Sequence, residues 1–326
     1  MARSGFGVIF HALAGALLCA LMQPVWAQEA WPNRPVKLVV SSSPGGGTDM
    51  YARMIGQALS DVFKQQFVVE NRPGASGNIG AASVAKSAPD GYTFLVSANT
   101  SLTINGSLFK NLSYDAERDF VPIMRAPGPL ALVINPALKV RNLQEFLALA
   151  KKEPGKLSFG SAGTGSTTYL GVRMLEEKTG ASFLHVPYKG LGPAYQDLLA
   201  GQIQFMFADV ASALSLIRSG KVSALALEQR TPLLPGVPTL TEAGVPDLNT
   251  HSSFSLVAPT GTPAVIVERM NQELVQLAKS STFASKLEAQ GLVAETPSLG
   301  GLATSMKQER DAYTSFIKRN NITASD

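Results

Sequence analysis

Cysteine is almost absent: the chain of 326 residues holds one, Cys19. It falls in a leader-like segment, where Arg3, the apolar stretch 6–22 and Val25-Trp26-Ala27 supply the basic, apolar and small-residue parts of a secretory signal peptide. Residues 1–27 are therefore expected to be removed, and the bulky Leu18 before Cys19 argues against lipidation. A mature chain from Gln28 has no disulfide, no thiol nucleophile and no thiolate ligand, so a packed core must stabilise it.

Histidine is nearly as scarce. Only His185 and His251 follow the leader, and neither has a histidine partner at metal-ligand spacing. There is no run of Lys or Arg; the formal charge of +4 is spread along the chain, whereas nucleic-acid binders concentrate basic residues. No apolar run after Ala27 approaches the ~20 residues that cross a bilayer. Nor does the chain hold a G-x-S-x-G elbow, a phosphate loop of the G-x-x-x-x-G-K-[ST] type or an H-E-x-x-H pair. The stretch "GSAGTGSTTYLG" lacks a glycine three residues after Gly165, so the dinucleotide fingerprint fails. No catalytic residue, metal, cofactor or nucleic-acid partner is expected.

What is present is alternation. Strand-like runs at 36–41, 67–70 and 92–97 are separated by helix-like segments at 48–63 and 81–86. The pattern restarts with helices at 143–151, 166–178 and 194–199 and strands at 157–160, 183–186 and 203–207. This predicts an α/β fold with parallel strands and crossover helices. A buried strand at 254–257 and a helical end, with Pro263 at a first helical position, are placed back on the first half. The expected organisation is a first lobe at 28–127 completed by 255–326, a second lobe at 128–254, and two crossings near Ala126 and Ser252.

Both halves repeat strand, Gly/Ser-rich loop, helix, as "KLVVSSSPGGGTDMYAR" and "KLSFGSAGTGSTTYLGVR". Such loops expose backbone N–H groups at helix N-termini, where the macrodipole favours an anion, although glycine and serine also serve simply as turn and cap residues. The candidate anion donors are Ser43, Gly45, Gly46, Gly47 and Thr48 in the first loop. The second supplies Ser161, Gly163, Thr164, Gly165, Ser166 and Thr167. Asp49, in a first helical turn, either braces the loop or binds a ligand ammonium. Asp209, at a strand end, either meets an amino or hydroxyl group or fixes backbone N–H groups. His185 reads as a structural histidine.

Six successive stretches carry a resemblance over nearly the whole mature chain: "SSSPGGGTDMYAR", "VVENRPGASGNIGAASVAKSAPDGYTFLV", "SFGSAGTGSTTYLGVRML", "HVPYKGLGPAYQDLLAGQIQFMFAD", "LPGVPTLTEAGVPDL" and "LVAPTGTPAVIVERMNQEL". Their order resembles the Bug-type solute receptors of tripartite tricarboxylate transporters. The resemblance implies a periplasmic-binding-protein-like fold of two lobes with a ligand cleft between them, and a small carboxylate ligand (organic acid, amino acid or aromatic acid) held by backbone N–H groups. It implies delivery to membrane permease subunits, and by position it adds Asn99 and Tyr188 to Asp209 as cleft residues. Ser42, Val210 and the "SSF" stretch depart from residues common in the family, so no particular ligand transfers. The alternatives are a binding component of a signalling system and a secreted hydrolase using a loop serine, for which no histidine lies nearby in sequence.

Overall fold

The computed structural model describes residues 31–246, 248, 252–295 and 298–323; the leader and His251 lie outside them. Residues from Arg34 onward form one unit, to which the following description applies.

Strands β1 (Val36–Val40), β2 (Phe67–Asn71) and β3 (Thr93–Ala98) alternate with helices α1 (Gly47–Phe63) and α2 (Asn78–Ala85). After β3 come a π turn (Thr100–Ile104), the short α3 (Asn105–Leu108), β4 (Phe120–Gly128) and β5 (Leu130–Ile134). Next are α4 (Leu143–Lys152), β6 (Ser158–Ser161), α5 (Thr167–Thr179), β7 (Leu184–Pro187) and α6 (Leu191–Leu199). β8 (Phe205–Asp209), α7 (Val210–Arg218), β9 (Ser223–Leu227) and β10 (Ser252–Pro259) follow, then α8 (Ala264–Lys279), α9 (Ser281–Glu288) and α10 (Leu299–Arg319).

The strands form two sheets of five, in the orders β2-β1-β3-β10-β4 and β7-β6-β8-β5-β9. Each sheet is mixed: the expected parallel strands form one part of it and antiparallel strands are added. β1, β2 and β3 are parallel, as are β6, β7 and β8, but β10 runs antiparallel to β3 and β4, and β5 antiparallel to β8 and β9. The antiparallel strands arise because the chain leaves one sheet for the other at Pro129 and comes back through β10, without a crossover helix in either place. Gly128 pairs with Ser252 and Ala126 with Phe254, so Gly128 and 252–254, assigned by the sequence to the second lobe, belong to the first sheet. Pro263 precedes its helix as the N-cap instead of opening it.

Local chemistry explains the elements. Every residue of β5, LALVI, is buried, as a strand covered on both faces requires. α1 buries Tyr51, Ala52, Ile55 and Leu59 on one face. In α4 the Asn142 side chain accepts the Glu145 N–H, while Lys151 and Lys152 sit at the carbonyl end. Its buried Phe146 meets Phe205 with ring centroids 4.9 Å apart, and Phe205 meets Phe183 at 4.6 Å. Such rings each contribute about 1.5–3 kcal/mol by burial. A further apolar cluster joins the lobes: Ile104 and Leu108, with Tyr313, Phe316 and Ile317 of α10, pack on Leu170 of α5.

The consequence for function is positional. α1, α5 and α7 all begin just beyond the carboxyl ends of parallel strands, the edge at which open α/β sheets bind ligands.

Candidate ligand-binding cleft

The loop after β1 turns at Gly45, whose φ of +85° suits glycine, and α1 starts at Gly47 with Gly46 as an N-cap that no side chain assists. Asp49 is committed within its own lobe. Its carboxylate accepts the Gly45 N–H at 3.1 Å, the Asn71 amide at 2.9 Å and a two-point contact from Arg53 at 3.0 Å. Burial pushes the Asp49 pKa up, but the hydrogen bonds from Arg53, Asn71 and Gly45 outweigh it and hold the group below its ordinary value. Of the two readings of Asp49, these contacts favour the brace for the glycine turn.

The second loop is built differently. Ser166 caps α5 by accepting the Tyr169 N–H at 3.2 Å, and Thr168 Oγ1 accepts the Ala162 N–H at 3.1 Å. Some donors of this loop are therefore already satisfied by its own side chains, whereas the first turn of α1 has none satisfied by a side-chain cap.

The two helix starts meet. Gly46, Gly47 and Thr48 of one lobe and Ser166, Thr167 and Asp209 of the other line a single cavity of about 40 Å³. Ser42, Thr100, Thr168, Ser252 and Phe254 complete much of the wall; of these Thr168 ends the second candidate loop, Ser42 and the "SSF" stretch were singled out only as departures from the family, and Thr100 was missed. Ser252 and Phe254 reach it only because β10 runs beside β3, a long-range pairing with no local signal.

Asp209 is the only ionisable residue in that lining. It is 7% exposed, and burial raises its pKa to about 6 against a hydrogen bond from Ser252. Gly47 lies against it: a Cβ on Gly47 would stand 2.7 Å from Asp209 Oδ2 and 2.6 Å from Phe254 Cζ.

The remaining sequence-derived residues lie elsewhere. Ser43 donates its N–H and its hydroxyl to the Lys189 carbonyl, each at 3.2 Å, tying the first loop to the second lobe. Asn99 bridges, accepting from Thr167 Oγ1 at 2.6 Å and donating to Glu309 at 2.6 Å. The Tyr188 hydroxyl is spent on Asp197 at 2.6 Å. With Gly163 and Thr164, Tyr188 lines a separate groove of about 800 Å³ between the lobes. Gly165, at φ +82°, is a packing position: a Cβ there would lie 2.1 Å from Leu108 Cδ1. Several glycines permit close lobe contact, since a Cβ on Gly192 would meet the Pro44 carbonyl and one on Gly163 would meet Ser76 Oγ at 2.7 Å. Ser76, in the "RPGASGN" stretch, also donates to the Thr164 carbonyl at 2.7 Å across the same seam.

Ser161 is fully buried and its hydroxyl lies 2.7 Å from His185 Nε2, a pairing that the sequence distance hid. The register Phe159↔His185 between β6 and β7 creates it. Burial, with the Arg173 charge adding to it, lowers the His185 pKa to about 4, well below the value that suits a general base at neutral pH. The pair is structural, and Ser161 does not line the cavity. Ser161→Ala is expected to lower stability by about 1–3 kcal/mol, because His185 loses a half-buried partner. Urea unfolding at pH 7 measures this, and an unchanged midpoint would show the pair to be dispensable.

A buried ion pair joins β4 to α10. Arg125 on β4, 4% exposed, pairs with Glu309 on α10, 7% exposed, and donates to Ser253 Oγ on β10 at 3.1 and 3.0 Å. Among the described residues no helix is long and apolar enough to cross a membrane, and no cluster of His, Cys, Asp and Glu could hold a metal ion.

Two α/β lobes that bring helix N-termini together over a small cavity define a solute-binding receptor. The chain belongs to the tripartite tricarboxylate transporter receptor family, whose domain matches residues 51–322. It is 37% identical over 287 residues to Protein BugT of Bordetella pertussis, covering 87% of this chain and 86% of that protein. Among solved structures, R. palustris Rpa4515 with adipate superposes with a TM-score of 0.87 at 33% identity, covering 90% of this chain and 99% of that one. MatC from Rhodopseudomonas palustris with bound malate gives a TM-score of 0.83 at 30% identity, covering 87% and 99%. The Bug-type resemblance and the two-lobed α/β expectation are thereby borne out.

Proposed function

We propose that this receptor works in the periplasm, after loss of its leader, capturing a small carboxylate-bearing solute between its lobes and presenting it to the membrane subunits of a tripartite transporter. The observation that supports this most directly is the cavity shared by the starts of α1 and α5. The uncapped first turn of α1 supplies backbone N–H groups and the positive end of a macrodipole, and these hold a carboxylate without an arginine. Gly46, Gly47, Thr48 and Thr167 are the contacts assigned to it, Ser43 and Asn99 closing the seam around them. Binding and release require no covalent chemistry, catalytic residue or cofactor. The adipate and malate of the two structural relatives favour the same ligand class.

A cavity of about 40 Å³ has room for a carboxylate group and little more, since each water-sized group needs about 10–15 Å³ of such volume. A whole dicarboxylate therefore needs the lobes further apart. The crossings at Pro129 and between β9 and β10 are the proposed hinge for this motion, with 34–128 and 252–323 moving as one lobe and 130–248 as the other.

Thermal unfolding in the presence of organic acids, amino acids and their uncharged amides tests the reading. A ligand at a hundred times its Kd is expected to stabilise the protein by about 2.7 kcal/mol. The expected result is a raised Tm with at least one acid and none with its amide. Equal shifts for acid and amide, or no shift across the panel with protein refolded from denaturant to strip trapped solute, would overturn the carboxylate assignment.

A further inference from the structure

The cleft sets an anion cradle directly against a buried carboxylate. Asp209 Oδ2 abuts the backbone of Gly47, the first residue of α1, and no Lys, Arg or His is in the cavity lining among the described residues. Among those residues, the groups packed around Asp209 do not offset its charge. On α1 the next acid, Asp49, is committed to Arg53 and Asn71. On α6 Tyr195 gives its hydroxyl to Ser212 of α7, and its pKa is raised by burial, with Asp209 adding to the effect. β10 contributes the Ser252 hydroxyl, and β5 contributes Leu130 opposite Asp209. Two carboxylates cannot share so small and buried a space while both are ionised, unless a hydrogen-bond donor or a proton stands between them.

We propose that Asp209 sets the ligand specificity of the cleft by demanding such a donor. A carboxylic acid that carries a hydroxyl or ammonium beside its carboxylate supplies the donor itself, whereas a plain dicarboxylate binds only with uptake of one proton from solvent onto Asp209. The inference rests on the carboxylate-receptor reading above.

The pH dependence follows with a definite sign. Free Asp209 ionises at about 6, burial being the main cause, and a bound anion raises that value further. Below pH 6 free and bound protein both carry the proton, so affinity is level. Above it the proton must be acquired on binding, and affinity falls as pH rises until the bound-state pKa is passed.

Titration calorimetry with adipate and malate between pH 6.5 and 8.5, where both ligands are fully ionised, tests this on wild type and Asp209→Asn. Adipate is expected to weaken by up to about tenfold per pH unit in the wild type and to show a level profile in the variant, with a gain in affinity at pH 8.5. Malate is expected to vary little with pH, and Asp209→Asn should lower its affinity relative to adipate by about tenfold. Repeating the wild-type adipate titration in two buffers of different ionisation enthalpy counts protons without any mutant, and about one proton taken up is expected near pH 7.5. Adipate binding with zero proton uptake, or a pH slope that persists in Asp209→Asn, overturns the role of Asp209 and leaves the receptor reading standing. Failure of both acids to bind at every pH, with correctly folded protein, overturns both.

Discussion

Gly47→Ala is expected to weaken carboxylate binding at least about a hundredfold, equivalent to roughly 2.7 kcal/mol. The added methyl would lie 2.6 Å from Phe254 Cζ and 2.7 Å from Asp209 Oδ2. Neither neighbour yields readily. Phe254 is 1% exposed and stacks on Tyr51 at 5.8 Å, and Asp209 ends a strand paired with β5 while serving as N-cap of α7. A methyl group in that place would occupy much of the small cavity and push the walls away from the α1 N-terminus. Gly47 has no left-handed backbone to lose, so the effect is steric; overpacking of this kind also costs about 1–3 kcal/mol of stability. Calorimetry on protein with a native circular dichroism spectrum measures the loss. Wild-type affinity would mean that no ligand group rests against the start of α1.

Glu309→Ala should produce the largest loss of stability, about 3–5 kcal/mol, because it leaves Arg125 as an uncompensated buried charge. Arg125 would keep the Ser253 hydroxyl and a Glu295 carboxylate 3.9 Å away, neither of which replaces the lost partner. The damage should spread toward the cleft, since Glu309 also accepts from Asn99, which accepts from Thr167 at the start of α5. At about 1.6 °C per kcal/mol for a chain of roughly 300 residues, scanning calorimetry reads the effect as a fall in Tm of roughly 5–8 °C. A loss below about 1 kcal/mol would show that α10 is not anchored through this pair. Glu309→Gln separates charge from hydrogen bonding, because it keeps an acceptor for Asn99 and removes only the counter-charge of Arg125.

The buried pair left a faint trace in the sequence. Glu309 falls in register with Leu302, Met306, Tyr313 and Phe316, all buried on α10, and a charged residue on such a stripe calls for a partner. Arg125 within the strand stretch "FVPIMRAPG" is the corresponding anomaly. Their 184-residue separation kept the two signals apart. Asp49 and Arg53, four residues apart on one helix, form a local pair that a helical reading could have found; the third partner, Asn71, comes from the adjacent strand β2. The receptor reading itself was legible through six motifs in order, while the residues read from the two loops or carried over by position fall in different places. Gly46, Gly47, Thr48, Ser166, Thr167 and Asp209 meet at one cavity, whereas Tyr188 and Ser161 turn to Asp197 and His185.

What the sequence by itself determined is everything set by short-range chemistry. Apolar runs and helical spacing specified the alternation of strands and helices, and the Gly/Ser loops specified where α1 and α5 begin, because turn and cap preferences act over a few residues. Tertiary structure alone decided which of those loops is left with free donors and which residues face them. Asp209 meets Gly47, Phe254 reaches the cavity and Ser161 finds His185 only once β10 has inserted between β3 and β4 and β6 has paired with β7. Strand order and register are settled by burial of whole faces across distant segments, a sum of many weak contacts that no short stretch of sequence contains.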